Sequence, residues 1–550
     1  MDQHRSGFRA LAAAGGAAVL VTLAALSPRV LPYNMDEFVH YHALGCATAP
    51  LGKDLPSFRD GCGLYDLRVP FTRTWLPLRS YYYIGSLPSA VFYPFWLLLD
   101  DPVAARVQGA LFFVAFALLA ARLLGVSPVL VALAGLVFPA FAVAFLVDEG
   151  PVGLSALLLL LALLAVRRSL QAESSSRAVA WATGAGLTVF VGLWVKLIFA
   201  WWLPAATLFA VAEMRRHDGT ARVALRRHGA ALLAGALALL VPLLVLLTSV
   251  DIDGHPYGSA LSRGRLSAEP AQIGAGAARL VPYLTDASVL APRNISLPSS
   301  ALDGLPVVLC AVILVGGLSR RGPRRAEIAG WIVLALVTFV LAATSAFTRW
   351  PHHFIFPALF LVLALALALD VSHRPARLVA TALVVVLWGS LALRWPSATY
   401  PRDSSPGKDE LLSFVRGRGL DQNTLQVHSS WGTYYTAQLF GHPERMVVFV
   451  KGIPDDREQL QEVSCLAREH GRRLLLISSR RWPRLQTDNV SGILGRPAQT
   501  WRFGDWWAVA YETDGVEGCS PSAGPSDEGA APPVDPGGPP LSTSAKDERT

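Results

Sequence analysis

"IGSLPSAVFYPFWLLL" (residues 84–99) is the stretch on which the topology of this chain turns. It is apolar, but it runs for only 16 residues and carries Pro88 and Pro94. Crossing a hydrocarbon core of ~30 Å takes about 20 helical residues. Counted as a span, it puts "RRSLQAESSSR" (167–177), the Arg-rich loop 213–228 and "RRGPRR" (320–325) outside. Left out, all three fall on the cytoplasmic side, as the positive-inside rule favours. The stretch is therefore expected to be re-entrant or to lie along the membrane surface.

Outward from it, apolar runs recur along most of the chain. They occupy 8–28, 103–124, 127–147, 151–167, 178–195, 197–213, 229–249, 301–319, 328–347, 352–370 and 376–394. The 550 residues are 53% hydrophobic and 16% charged, where soluble domains carry about 25% charged residues. Mean hydropathy is +0.41. The expectation is an all-α polytopic membrane protein of about eleven transmembrane helices, with the N-terminus cytoplasmic and the C-terminus outside. It would reside in the plasma (inner) membrane. The net charge of +8 does not point to nucleic acid, because the Arg residues sit in short loops between spans. Residues 1–28 also have the shape of a signal peptide, but "LAALSPRV" has no good small-x-small cleavage site, so the segment is expected to be retained as a span.

On this topology residues 29–102 form a first external loop, 251–300 a second long one, and everything after 395 lies outside. Within 399–519 the stretches "TLQVHSS", "RMVVFV", "RRLLLIS" and "WWAVAYE" read as strands, and 408–417, 431–440 and 455–470 as helices. That alternation predicts a small α/β extracytoplasmic domain. Residues 520–550 are Pro/Gly/Ser-rich and read as a disordered tail. Cys46 and Cys62 share the first external loop, and Cys465 and Cys519 the C-terminal region; disulfides are expected outside, with their connectivity open. Cys310 falls in a span and reads as a packing residue.

The chemistry gathers at the outer mouths of the spans. "PYNMDEFVHYHAL" (32–44) places Asp36 and Glu37 just past the first apolar run. Asn34 and Glu37 fit a capping box, which would fix one acid and leave the other as a general base. His40 and His42 beside them match no standard zinc spacing. Asp148 and Glu149 form a second acidic pair between two spans, readable as a polar turn or as an acceptor-orienting site. Lys196, in "LWVKLIFAWW", lies where two spans meet, and must either snorkel to the interface or find a partner. Arg349, His352 and His353, in "TRWPHHFIFP", cluster at a later helix mouth. They suit a phosphate, although interfacial anchoring by Trp350 would also account for the stretch. Asp251 and Asp253 make an incomplete cation motif, better read as a turn. External acids and phosphate-seeking cations at membrane depth suggest a membrane-lodged substrate, such as a sugar on a polyprenyl phosphate.

The order of these features resembles the GT-C glycosyltransferases, in particular the protein O-mannosyltransferase and lipid A aminoarabinose transferase branch. The matching elements are Asp36–Glu37 in the first external loop, the surface region 80–99, an acid at 148–149, Lys196, and "RWPHHFIFP" with Arg349, His352 and Pro357. The likeness covers roughly residues 1–395. It departs where His353 replaces a common Tyr and where the late motif lacks its second proline. The resemblance implies a GT-C-like catalytic module over 1–398 and an inverting transfer from a polyprenyl-phosphate sugar to an extracytoplasmic acceptor: protein, lipid or envelope glycan. Asp36 would be the base, with Glu37 the other candidate. Lys196, Arg349, His352 and His353 would hold the donor phosphate. No cofactor and no metal are expected. A transporter of lipid-linked glycans would instead place polar groups at the midplane of broken spans, and a glycan ligase would not need the first-loop acid.

Overall fold

The computed structural model of the chain describes residues 67–68, 75–76, 79–81, 84–99, 103–147, 151–219, 221–248, 269–291, 295–345, 351–398, 406–430, 433–434, 437, 446–449, 457–478 and 488–519. The first expected span, 8–28, lies outside them, as do Asp36 and Glu37. Helix α1 (Leu87–Leu98) packs on α2 (Val103–Leu124). It buries Phe92 and exposes Tyr93 and Leu98. At 12 residues it reaches only about 18 Å, too short to cross a bilayer.

The bundle continues through α3 (Pro128–Leu136), α4 (Pro139–Leu146), α5 (Val152–Leu170), α6 (Ser175–Val195), α7 (Leu203–Asp218) and α8 (Ala221–Thr248). After α9 (Pro270–Thr285) come α10 (Leu305–Leu318), α11 (Pro323–Thr344), α12 (Ile355–Val371) and α13 (Arg374–Arg394). Among the described residues seven helices are long and apolar enough to span a membrane, or eight if one bent pair is taken as a span. The chain is an integral membrane protein.

Three of the expected spans differ from simple crossings. The run 127–147 is broken into α3 and α4, which meet at 104°. Pro139 cannot continue the helix, and Phe138 before it takes an extended conformation, φ −109 and ψ 98. The run 301–319 yields only the 14 residues of α10, and 352–370 the 17 of α12. In α12 every residue from Ile355 to Leu369 except Leu361 is buried. A helix apolar all round and buried all round is the core of the bundle, not its lipid-facing wall.

Two ends of the bundle carry different chemistry. At one end Arg167 pairs with Glu213 at 2.6 Å and also donates to the Leu123 carbonyl. Arg216 reaches Glu327 at 2.7 Å, and Arg324 bonds both Glu327 at 2.8 Å and the Leu124 carbonyl at 2.9 Å. The Arg-rich turns therefore share one face, where their cations also cap the carbonyl end of α2. At the other end Arg394, closing α13, holds Asp303 at 2.8 Å and the Pro298 carbonyl. Amphipathic α9 and the hairpin Val289–Ala291/Ile295–Ser296 lie at this second end.

After α13, strands β1 (Thr424–His428), β2 (Met446–Phe449), β3 (Arg473–Ser478), β4 (Gln499–Phe503) and β5 (Trp506–Tyr511) build one mixed sheet in the order β4-β5-β3-β1-β2. β1 runs parallel to both β2 and β3, whereas β5 is antiparallel to β3 and β4. Strand alternation separates two cores. Leu425, Val427, Leu474 and Leu476 face α15 (Arg457–Glu469) and α16 (Asp488–Leu494). Leu475, Ile477, Ala508 and Ala510 face α14 (Pro406–Gly417). A disulfide joins Cys465 on α15 to Cys519, with Cα atoms 5.3 Å apart.

Candidate active site

Lys196 stands where helix geometry stops. α6 ends at Val195, Lys196 is extended at φ −157 and ψ 123, and the 3-10 helix Leu197–Trp202 follows. The break is held by backbone bonds from Lys196 N to Gly192 O (3.1 Å) and from Phe199 N to Lys196 O (2.9 Å). Gly192 is required here, because a Cβ would lie 2.6 Å from the Phe199 ring. Lys196 itself is only 3% exposed. It does not snorkel to solvent: the ammonium is enclosed, and intramembrane cations of this kind mark functional sites.

The enclosing wall comes from far along the chain. Trp202 Nε1 donates to the Phe356 carbonyl at 3.2 Å, and Thr338 Oγ1 reaches the same oxygen at 3.3 Å. The Trp202 and Phe356 rings are 4.7 Å apart, and the Trp201 ring meets the His353 ring edge-on at 4.7 Å. His353 is 2% exposed and sits in the 3-10 turn Pro351–Phe354 that opens α12. Behind this turn Tyr283 of α9 stacks on Phe354 at 5.1 Å.

A small cavity opens at this junction. Val152 and Ser155 of α5, Lys196, Phe199 and Trp202 of the break, and Ile355 and Phe356 of α12 line it. Its polar groups are the Ser155 hydroxyl and the Lys196 ammonium; the rest is apolar or aromatic. Such a lining sets one cation and one hydroxyl against apolar surface, the pairing that an anionic lipid headgroup calls for.

The structure thus brings three sequence-singled segments to one place: the start of α5, directly after Asp148 and Glu149; the Lys196 break; and the start of α12, directly after Arg349. Asp148, Glu149 and Arg349 themselves lie outside the described residues, as Asp36 and Glu37 do. His352 belongs to the same 3-10 turn as His353. Among the described residues no group of three or more His, Cys, Asp or Glu side chains could hold a metal ion.

Sequence reasoning missed Arg106. It lies on α2, is fully buried, and donates from Nη1 to the Leu146 carbonyl at 2.6 Å. Leu146 is the last residue of α4, two before Asp148. Gly109, one turn along α2, lets the helix press on this end, since a Cβ would fall 2.3 Å from the Phe145 carbonyl. The signal in the sequence was a single Arg early in an apolar run, "DDPVAARVQGALFF". At a span end such a residue reads as an interfacial anchor.

No protein-family model matches the chain. No curated protein matches it either. Among solved structures it is similar to ArnT from Cupriavidus metallidurans bound to undecaprenyl phosphate, at 13% identity and a TM-score of 0.50. That match covers 92% of this chain and 98% of the other. The chain has the ArnT fold. The apo state of the same protein also matches, at 13% identity, a TM-score of 0.43, and coverage of 93% and 99%. The fold likeness agrees with the branch to which the sequence resemblance pointed.

Proposed function

We propose that this protein is a membrane glycosyltransferase that moves a sugar from a polyprenyl phosphate to an extracytoplasmic acceptor, with inversion. The observation that carries the reading is the enclosed Lys196 ammonium, with the Ser155 hydroxyl, in a cavity lined for the rest by apolar and aromatic side chains, beside the turn of His352 and His353. The ArnT fold supports it, since the similar structure holds undecaprenyl phosphate.

In this reading Lys196, Arg349, His352 and His353 hold the donor phosphate. The acceptor oxygen attacks the anomeric carbon and the bond from that carbon to the phosphate oxygen breaks. The acceptor proton passes to Asp36, with Glu37 capping the helix beside it, and the electron pair leaves on the polyprenyl phosphate. Cations at the phosphate stabilise charge that develops as the bond breaks. Asp148 and Glu149 orient the acceptor, and Arg106 fixes the Leu146 carbonyl two residues before them in the chain. No metal is needed for this sequence of steps.

Two features support the orientation. The disulfide Cys465–Cys519 suits an oxidising compartment, and the Arg-rich face suits the cytoplasm. The sheet and the cavity then both lie outside, where residues 399–519 form an extracytoplasmic domain.

The test of the base is Asp36→Asn in purified protein given polyprenyl-phosphate sugars and cell-envelope acceptors. Loss of transfer by about 10²-fold or more with donor binding retained is expected. Wild-type turnover would remove Asp36 from that role.

A further inference from the structure

The C-terminal sheet has a feature that the transfer reading does not use. β1 is parallel to β2 on one side and to β3 on the other. After β1 the chain lies over the α14 face, where Tyr434 meets His428, whereas α16, the next described helix after β3, packs on the opposite face. Adjacent parallel strands whose connections depart to opposite faces define a topological switch point. In open α/β sheets ligands bind in the crevice outside the carboxyl ends of such strands.

Among the described residues, those at this crevice are polar and uncharged. Ser429 follows β1 and Ser478 ends β3; Ser429 N donates to the Ile477 carbonyl at 3.1 Å, and Ser429 Oγ to Ser478 Oγ at 2.9 Å. Ser430 accepts from Tyr434 N and from Thr433 Oγ1, both at 3.1 Å, which closes a turn over the strand end. Ser429 and Ser430 are half-buried. Below them His428 is completely buried, with the Tyr434 ring centroid 6.4 Å from its own.

His428 adds the second observation. Its Nε2 lies 3.2 Å from Gln426 Oε1, which can only accept, so Nε2 carries the proton. Nδ1 is then an acceptor, and it has no hydrogen-bond partner. A buried acceptor left unmet is costly, and ligand sites are where such groups persist. Burial pushes the imidazole down to about 3, so the ring is neutral.

We infer that the carboxyl ends of β1 and β3 form a second binding site, for a neutral saccharide. Ser429, Ser430 and Ser478 supply hydroxyls, and His428 Nδ1 an acceptor, for the alternating donors and acceptors of a sugar ring. Tyr434 supplies an aromatic edge. This site rests on the sheet alone and stands or falls independently of the transfer reading.

The test uses the full-length protein in lipid nanodiscs and a diazirine-bearing mannotriose. Photolabelling mapped by mass spectrometry should concentrate on the peptide around 428–434 and be displaced by unlabelled mannotriose. His428→Phe, which keeps a flat ring without the acceptor, and Ser478→Ala, which removes one hydroxyl, should each weaken binding about tenfold. Retention of the Cys465–Cys519 disulfide in both variants confirms that the sheet still folds. Labelling spread evenly over the chain would overturn the assignment. So would unchanged affinity in both variants, or binding of a phosphorylated mannotriose with none of the neutral one.

Discussion

Trp202 Nε1 bonds the carbonyl of Phe356 across 154 residues of sequence. That one contact fastens the Lys196 break to the first turn of α12, and so closes the cavity between them. Both partners are buried, Trp202 at 1% exposure. Trp202→Phe keeps an aromatic ring and removes the donor. The expected cost is about 1–2 kcal/mol of stability, read as a lower unfolding temperature in detergent, together with weaker binding of polyprenyl phosphate. An unchanged affinity would mean that the clamp does not shape the cavity.

Arg106 bonds the carbonyl of Leu146, the residue that ends α4 two positions before the acidic turn. Arg106→Met removes its bond to the Leu146 carbonyl while keeping an unbranched apolar stem. Transfer should fall at least about tenfold, as for other lost charged hydrogen bonds, while the affinity for undecaprenyl phosphate stays within about twofold. Equal losses in both would place Arg106 at the donor or in general stability.

The face bearing Arg167, Arg216 and Arg324 is expected to be cytoplasmic. Glu173→Cys, in the exposed turn between α5 and α6, should resist an impermeant maleimide in intact cells and react after permeabilisation. Labelling of the 167–177 peptide in intact cells would invert the topology, and with it the side on which the cavity opens.

His428 couples the sheet to pH. Its ordinary value is 6.5 and burial holds it down at about 3. Between those values the unfolded chain binds a proton that the folded chain does not. Stability is therefore full above pH 6.5 and is lost as pH falls, by up to about 1.4 kcal/mol per pH unit from this group. His428→Phe should flatten that part of the profile, measured as the unfolding midpoint of the C-terminal region between pH 7 and pH 4. A profile as steep as wild type would show that other groups carry the dependence.

Much of the bundle was legible, because helices 103–124, 175–195 and 374–394 need the same apolar length in any membrane. Hydropathy cannot see direction, however. The run 127–147 stays apolar through Pro139, so its break into two helices at 104° leaves no trace in composition. Nor does apolarity separate lipid from protein: α12 is greasy on every side because it is the core. In the C-terminal sheet, β1, β2, β3 and β5 announced themselves by dense apolar runs. β4 did not, since "QTWRF" is an edge strand with an exposed or half-exposed side at every position. At the site, Lys196 was conspicuous as a charge between two spans. Its enclosure was not, because the wall comes from Phe356 and Trp202, ordinary aromatics until the chain folds. Arg106 drew no notice, because a single cation near the start of an apolar run does not reveal whether it will be buried.

The most direct measurement is the affinity of undecaprenyl phosphate for the purified wild-type protein in nanodiscs against that of Lys196→Met. Methionine keeps the length of the stem and removes the charge. If the enclosed ammonium holds the donor phosphate, a charged hydrogen bond worth ~1.5–3 kcal/mol disappears and the affinity falls about 10- to 100-fold. Equal affinity in the two proteins would contradict the assignment of this cavity to a lipid phosphate.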